Sequence, residues 1–191
     1  MTATTTTTTT TPLPQGVTPG TWEIETSHSG ASFRVRHAGI SKVRGTIGIT
    51  GGEIVIGETL EASTVRATLD PATVDTKDER RDGHLRSADF FETETYPTWE
   101  FRSTGIRPDG ADVVIEGELT AHGITRPVHL RTEFNGGATD PFGVARLGAS
   151  ATTEISRQEF DLTGNAALET GGVLVGDTIT ITLEIEAVAR G

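Results

Sequence analysis

Apolar and polar residues alternate along most of the chain after about residue 21, the period expected for β-strands with one buried face. The C-terminal segment is clearest, because Ile179, Ile181 and Leu183 alternate with threonines. A shift of the strand pairing by one residue would expose these apolar side chains to solvent, so the register of this strand is strongly specified. Similar runs begin at or near Phe33, Lys42, Thr64, Trp99, Asp112, Val128 and Val144.

Glycine-rich turn signals separate these runs. They are Gly51-Gly52, Asp109-Gly110, Gly136-Gly137 and Gly171-Gly172. About eight short strands bounded in this way predict an all-β sandwich or barrel. A barrel is favoured, because closure removes the two exposed edges of an open sheet.

One segment, from Thr76 to Phe91, departs from the alternation. Thr76 and Glu79 have the spacing of a capping box, which predicts a short helix over residues 77–86. Gly83 lowers the stability of that helix by roughly 1 kcal/mol relative to alanine. Leu85, Phe90 and Phe91 are the apolar residues that could hold the segment on the barrel.

Small residues are frequent on the inward faces of the predicted strands. They would leave room for a ligand in a hollow barrel, or they would let two sheets pack closely in a solid sandwich. The pattern alone leaves both interpretations open. The residues are Gly45, Ala67, Gly117, Ala145, Ala149, Ala151 and Ala187.

Net charge and cysteine content exclude several classes of function. The chain of 191 residues carries a net charge of −11, which argues against a nucleic-acid partner and against docking on anionic lipid, a local basic spot excepted. It contains no cysteine, so a disulfide framework and a thiol nucleophile are excluded. Residues 1–20 are rich in threonine and proline and are predicted to be a disordered tail before a domain over 21–191. With neither a transmembrane segment nor a signal peptide in the pattern, a cytoplasmic location is expected.

Two sequence motifs are long enough to suggest a particular protein family. Arg81 to Phe91 reads RDGHLRSADFF, and Gly117 to Val128 reads GELTAHGITRPV. Together with Ser27-His28-Ser29 and Arg157 to Phe160, in this order, they resemble the YceI-like family of bacterial polyisoprenoid-binding proteins. The resemblance covers about residues 21–188. Where the family often has glycine after the last phenylalanine, this chain has Asp161, which makes the local turn uncertain.

The resemblance implies an eight-stranded, antiparallel, lipocalin-like β-barrel with a helix across or beside it. It implies a long internal pore for an extended prenyl chain or a similar amphiphile, and it also suggests a homodimer. Many family members have a secretion signal, so a periplasmic role is not carried over.

The inward apolar residues are the candidate ligand contacts, although a packed core would use the same residues. Arg81 and His84 are candidates for binding an anionic head group; alternatively, Arg81 and Asp82 form an ion pair that fixes the helix to the barrel rim. The candidate ligand-binding residues are Phe33, Val35, His37, Ile47, Leu85, Phe90, Phe101, Ile115 and Leu119.

No recognised metal-ligand spacing joins the five histidines, and no nucleophile elbow is present. We therefore expect no metal, no cofactor and no catalytic residue, and predict non-catalytic binding, storage or transport of a long-chain lipid. One alternative is an accessory to an isoprenoid or quinone enzyme, with the lipid as its cofactor. Another is a solid barrel that acts through its outer surface.

Overall fold

The computed structural model describes residues 10–169 and 171–190. These residues form antiparallel strands, one α-helix (α1) and two 3₁₀ turns. The 3₁₀ turns are Leu60–Ala62 and Arg157–Phe160. The other elements are β1 (Gly20–Ile24), β2 (Gly30–His37), β3 (Ser41–Ile56), β4 (Thr64–Asp75), α1 (Glu79–Arg86), β5 (Trp99–Asp109), β6 (Asp112–Ala121), β7 (Ile124–Thr139), β8 (Ala145–Ser156) and β9 (Val175–Ala189).

The strands close into a barrel in the order β3-β2-β9-β8-β7-β6-β5-β4, and β4 returns to β3. Strand β1 continues the position of β2, because both pair with β3 on one side and with β9 on the other. The ring therefore has eight strand positions, which confirms the predicted eight-stranded antiparallel barrel. Closure leaves no open edge along the ring for pairing with other chains.

Two of the four predicted turn signals lie inside strands. Gly51 and Gly52 belong to β3, and the register shifts by a bulge between Ile49 and Gly51. Gly136 and Gly137 belong to β7, with a bulge between Phe134 and Gly136. The predicted turns at these positions are wrong. A bulge bends and twists a strand, so these glycines let the two 16-residue strands curve around the barrel.

The predicted helix is present, but it begins two residues later than expected and has a different cap. Asp78 is the N-cap, and its carboxylate accepts the backbone N–H of Arg81 at 3.0 Å. The predicted capping box is therefore wrong. Thr76 lies before the helix and hydrogen-bonds to Asp82 instead. No helix among residues 10–169 and 171–190 is long and apolar enough to cross a membrane.

Part of the predicted tail contacts the barrel. The backbone N–H of Thr11 donates to Glu61, and the backbone N–H of Leu60 donates to the carbonyl of Thr11 at 3.1 Å. Leu13 and Val17 pack against the core cluster around Trp22. These contacts differ from the disorder that composition predicts for this segment. Residues 1–9 of the predicted tail lie outside the described residues.

The turn after Phe160 keeps its shape without glycine. Asp161 has φ of 56° and ψ of 23°, in the left-handed region that favours glycine. Aspartate tolerates this region better than most residues because its short polar side chain can bond locally. Asp161 therefore adopts a left-handed conformation without glycine at this position.

Candidate ligand-binding cavity

An internal cavity of about 240 Å³ lies within the barrel, and its surface is entirely apolar. All eight strand positions contribute to its wall, together with α1 and the second 3₁₀ turn. The volume is slightly below the usual range of small-molecule sites, which is roughly 300–1,000 Å³. The barrel is therefore hollow, and it has space for a slender hydrocarbon chain.

The cavity extends to one end of the barrel, which we call the helix end. Here α1 and the segments around residues 87–98, 157–169 and 171–174 cover the strands. The core cluster at this end includes Phe91, Ala121, Phe160 and Leu162, and all four also line the cavity. Only the covering segments therefore separate the cavity from the surface at this end.

The opposite end, which we call the strand end, is closed by a separate core cluster. Trp22, Ile56, Leu147 and Ala187 form its buried part, and none of these four residues lines the cavity. The buried residues of this cluster belong to the barrel strands, and Leu13 and Val17 of the N-terminal segment pack against them. A ligand could enter at the helix end by displacing the covering segments, without separating the barrel strands.

Two of the small inward residues seat aromatic rings and do not enlarge the cavity. A Cβ atom at Gly45 would lie 2.6 Å from the ring of Phe33, the residue opposite on β2. Gly117 similarly leaves room for the ring of Phe101. By contrast, Ala67, Ala149 and Ala151 line the cavity itself. The closed barrel excludes the solid sandwich, and these alanines fit the hollow-barrel interpretation.

Most of the candidate contacts reach the cavity wall. Its lining includes eight of them, while His37 is at the end of β2, opposite Ser41, outside the lining. The strand alternation had placed His37 on the same face as Val35. The pairing of β2 with β9 shifts between Val35 and His37, and this irregularity removes the histidine from the wall. The eight lining residues are Phe33, Val35, Ile47, Leu85, Phe90, Phe101, Ile115 and Leu119.

The two head-group candidates, Arg81 and His84, have partners within the protein. Nε of Arg81 donates to Oγ1 of Thr76 at 2.7 Å, and that hydroxyl donates to Asp82 at 2.5 Å. Arg81 and Asp82 are thus joined through Thr76, and no direct ion pair forms between them. Nε2 of His84 lies 3.0 Å from Asp89. Neither residue lines the cavity, and the buried Asp82 fixes α1 to the end of β4.

Arg157 is a wall residue that the sequence did not single out for the cavity. It is 4% exposed, and its guanidinium donates only to backbone carbonyls. These are the carbonyls of Leu162, Gly164, Val175 and Gly176. Burial lowers the pKa of the guanidinium, and the charge of Asp177 partly offsets this effect. Arg157 thus joins the covering loop to β9 beside the cavity.

A polar cluster lies at the strand end. Glu25, His28 and Glu186 are close enough to resemble a metal site. However, Nη1 of Arg146 contacts both carboxylates, lying 2.6 Å from Glu186, so a cation already occupies the space between them. Hydrogen bonds from His28 and then Arg146 lower the pKa of Glu25 to about 2. Glu25 in turn raises the pKa of His28. This arrangement joins three segments of chain electrostatically.

Comparison with known proteins agrees with this fold. Residues 22–187 match the model of the YceI-like domain. The chain belongs to the YceI-like family. It is 38% identical over 139 residues to protein YceI of Escherichia coli, covering 72% of this chain and 73% of the relative. It is 37% identical over 140 residues to a UPF0312 protein of Photorhabdus laumondii, covering 73% of each.

Solved structures share the fold of this YceI-like chain. BcnA of Burkholderia cenocepacia has a TM-score of 0.71 at 18% identity, over 85% of this chain and 98% of that protein. YceI of Campylobacter jejuni has a TM-score of 0.65 at 26% identity, over 82% and 90%. A polyisoprenoid binding domain from Saccharophagus degradans has a TM-score of 0.66 at 15% identity, over 91% and 100%.

Proposed function

We propose that this protein binds one long-chain amphipathic lipid, such as a polyisoprenoid or an isoprenoid quinone, in the barrel and acts as its carrier or store. The observation that carries the proposal is the wholly apolar cavity that reaches the helix end. Family membership supports it, since one structural neighbour is described as a polyisoprenoid binding domain. The barrel then works by binding, without chemistry of its own. A cytoplasmic location and a homodimer stay predictions.

Hydrocarbon burial supplies the binding energy in this proposal. Each buried methylene contributes about 0.8 kcal/mol, so a few isoprene units suffice for tight binding. Much of this energy offsets the ordering of the flexible chain and the opening of the barrel. The cavity is smaller than most ligand sites, so a longer chain must displace the segments that cover the helix end. Affinity should rise with chain length and level off once the tail fills the cavity.

Phe33, Val35, Ile47, Leu85, Phe90, Phe101, Ile115 and Leu119 are then tail contacts, with Arg157 beside the tail near the helix end. The head group would remain near this end, outside the apolar wall. Affinity should therefore depend more on the tail than on the head group. Equal affinity for short and long prenyl analogues in a fluorescence displacement assay would contradict this expectation.

The first test is mass spectrometry of an organic extract of the gently purified protein. A stoichiometric isoprenoid, quinone or similar amphiphile is expected. If the extract is empty, prenyl lipid should still raise the melting temperature. Failure of both measurements would overturn the carrier proposal.

A blocking variant tests whether the ligand lies in the cavity. Ala149→Phe places a ring in the wall and should displace the lipid. Thr152→Phe is the matched control, because Thr152 is an exposed residue of the same strand. Both variants should keep the circular dichroism spectrum of the wild type. Lipid retention by a folded Ala149→Phe variant would move the binding site out of the cavity.

A further inference from the structure

The β2–β3 hairpin is a basic region on an acidic protein. No aspartate or glutamate stands between Glu25 and Glu53, although the chain has 27 acidic residues. Within this stretch, four cations lie on the outer face of the hairpin, and all are exposed. They are Arg34, Arg36, Lys42 and Arg44, which we call the hairpin cations.

The register places like charges directly opposite each other. Arg34 faces Arg44, and Arg36 faces Lys42. Such pairs destabilise a sheet unless acidic neighbours compensate them. Across the part of the chain that the structure describes, no carboxylate makes an ion pair with a hairpin cation. The nearby acids have other partners: Asp75 lies 2.6 Å from Nζ of Lys77, and Glu154 accepts from Thr180.

Another pair of opposed cations shows the usual compensation. Arg66 faces Arg102 across β4 and β5. Nη2 of Arg66 lies 3.0 Å from Glu53, and Arg102 stands opposite Glu118 on β6. The hairpin cations thus repel one another without the acidic neighbours that compensate Arg66 and Arg102. An external anionic partner would relieve it.

The tip of the hairpin is apolar and exposed to solvent. Ile40 is 89% exposed, and Val173, on the neighbouring loop, is 52% exposed. The two loops are joined, because the backbone N–H of Ala38 donates to the carbonyl of Leu174 at 2.7 Å. An apolar tip with cations behind it is the arrangement that favours the interface of an anionic bilayer.

The tip is also next to the cavity. Val35, on the hairpin, and Val175, at the start of β9, both line the cavity wall. Val175 is paired with His37, the last residue of β2 before the tip. A hydrocarbon chain leaving a bilayer at Ile40 would therefore reach the helix end of the barrel directly.

We propose that the β2–β3 hairpin docks the protein on an anionic membrane, with Ile40 in the interface and the hairpin cations against lipid phosphates. This docking proposal rests on the proposed lipid-carrier function, because it assigns the place where the carrier exchanges its lipid. A nucleic acid is a weaker match, because the net charge of −11 repels both partners and only the bilayer offers an apolar environment for the tip.

Vesicle flotation tests the docking. The full chain should bind mixed phosphatidylcholine–phosphatidylglycerol vesicles, bind pure phosphatidylcholine vesicles weakly, and be released from the mixed vesicles by high salt. Lys42→Gln with Arg44→Gln should lower the partition coefficient about 30-fold, the effect expected for two interfacial cations. The matched control is Arg66→Gln with Arg102→Gln, which changes the net charge equally and should lower it less than about threefold.

A second pair of variants tests the tip. Ile40→Ser should weaken vesicle binding about tenfold, because one apolar side chain leaves the interface. Phe142→Ser is its control, since Phe142 is 90% exposed on the hairpin between β7 and β8 at the strand end. Equal binding to both vesicle types, equal losses in the controls, or tighter binding of an oligonucleotide than of vesicles would each overturn the docking proposal.

Failure of docking and failure of lipid carriage give different results. The hairpin variants should yield the same lipid as the wild type in mass spectrometry of the solvent extract. A chain that carries lipid but ignores anionic vesicles overturns the docking proposal alone. A chain that docks through the hairpin but neither holds nor is stabilised by prenyl lipid overturns the carrier function and leaves the docking site standing.

Discussion

The two ends of the barrel are closed by different means. At the helix end, covering segments are held by side chains that bond to backbone, chiefly Asp82 and Arg157. At the strand end, barrel strands pack around Trp22, and Arg146 joins Glu25, Asp140 and Glu186 on the surface. The cover also packs through Phe91, Phe160 and Leu162, but it can move while the strands stay paired, whereas opening the buried cluster at the strand end requires strands to separate. We therefore propose that the lipid exchanges at the helix end.

The largest expected effect comes from the anchor of the covering loop. Arg157→Met should remove the donor for four backbone carbonyls and lower the free energy of unfolding by about 3–5 kcal/mol. Urea denaturation measures the loss. Arg146→Met at the strand end is the comparison and should cost less, because Arg146 is nearer to water. A loss for Arg157→Met below about 1 kcal/mol would contradict its anchoring role.

The second variant loosens α1. Asp82→Ala leaves the N–H and hydroxyl of Thr76 without their acceptor and should cost about 2–3 kcal/mol. Hydrogen exchange should accelerate over residues 76–91 and stay unchanged in β7 and β8. Asp78→Ala removes only the exposed cap and should have a smaller effect. Uniform acceleration across the barrel would show that the helix end is not an independent unit.

The third variant tests the packing of an aromatic ring beside the cavity. Gly45→Ala should cost about 1–3 kcal/mol, because the new methyl group overlaps the ring of Phe33. Adding Phe33→Leu should recover part of the loss in a double-mutant cycle. Gly30→Ala is the control, since a Cβ atom at that position meets nothing within 4 Å. Equal effects of the two alanine substitutions would contradict the proposed clash.

The smallest effect is a pH dependence at the strand end. The pKa of Glu25 is about 2 in the folded state, below its ordinary value of 4.5. Its stabilising contribution is therefore complete above pH 4.5 and is lost as the pH falls towards 2. Glu25→Gln should show a shallower loss of stability over this window than the wild type. Identical pH dependence of stability in the variant and the wild type would contradict a stabilising role for Glu25.

The alternation of apolar and polar residues was sufficient to predict every strand except β1, together with most of the cavity wall, although turns were predicted at Gly51-Gly52 and Gly136-Gly137, inside β3 and β7. Phe101, Ile115 and Leu119 lie where a period of two places them, because a strand cannot bury both faces of such a sequence. The two specific motifs predicted the family, which the comparison confirmed. The exposure of the hairpin cations also follows from the same alternation.

The tertiary structure decided what depends on pairing between distant segments. Gly51 and Gly136 form bulges because the closed ring requires curvature, which local turn preference does not contain. Arg157 joins the wall because residues up to 19 positions away supply its carbonyl acceptors. The opposition of Arg34 and Arg44 is a matter of register, and the closeness of Ile40 to Val173 depends on β2 and β9 being neighbours. The net negative charge argues against docking on anionic lipid. The register of β2 and β3, however, brings the four hairpin cations together on one face.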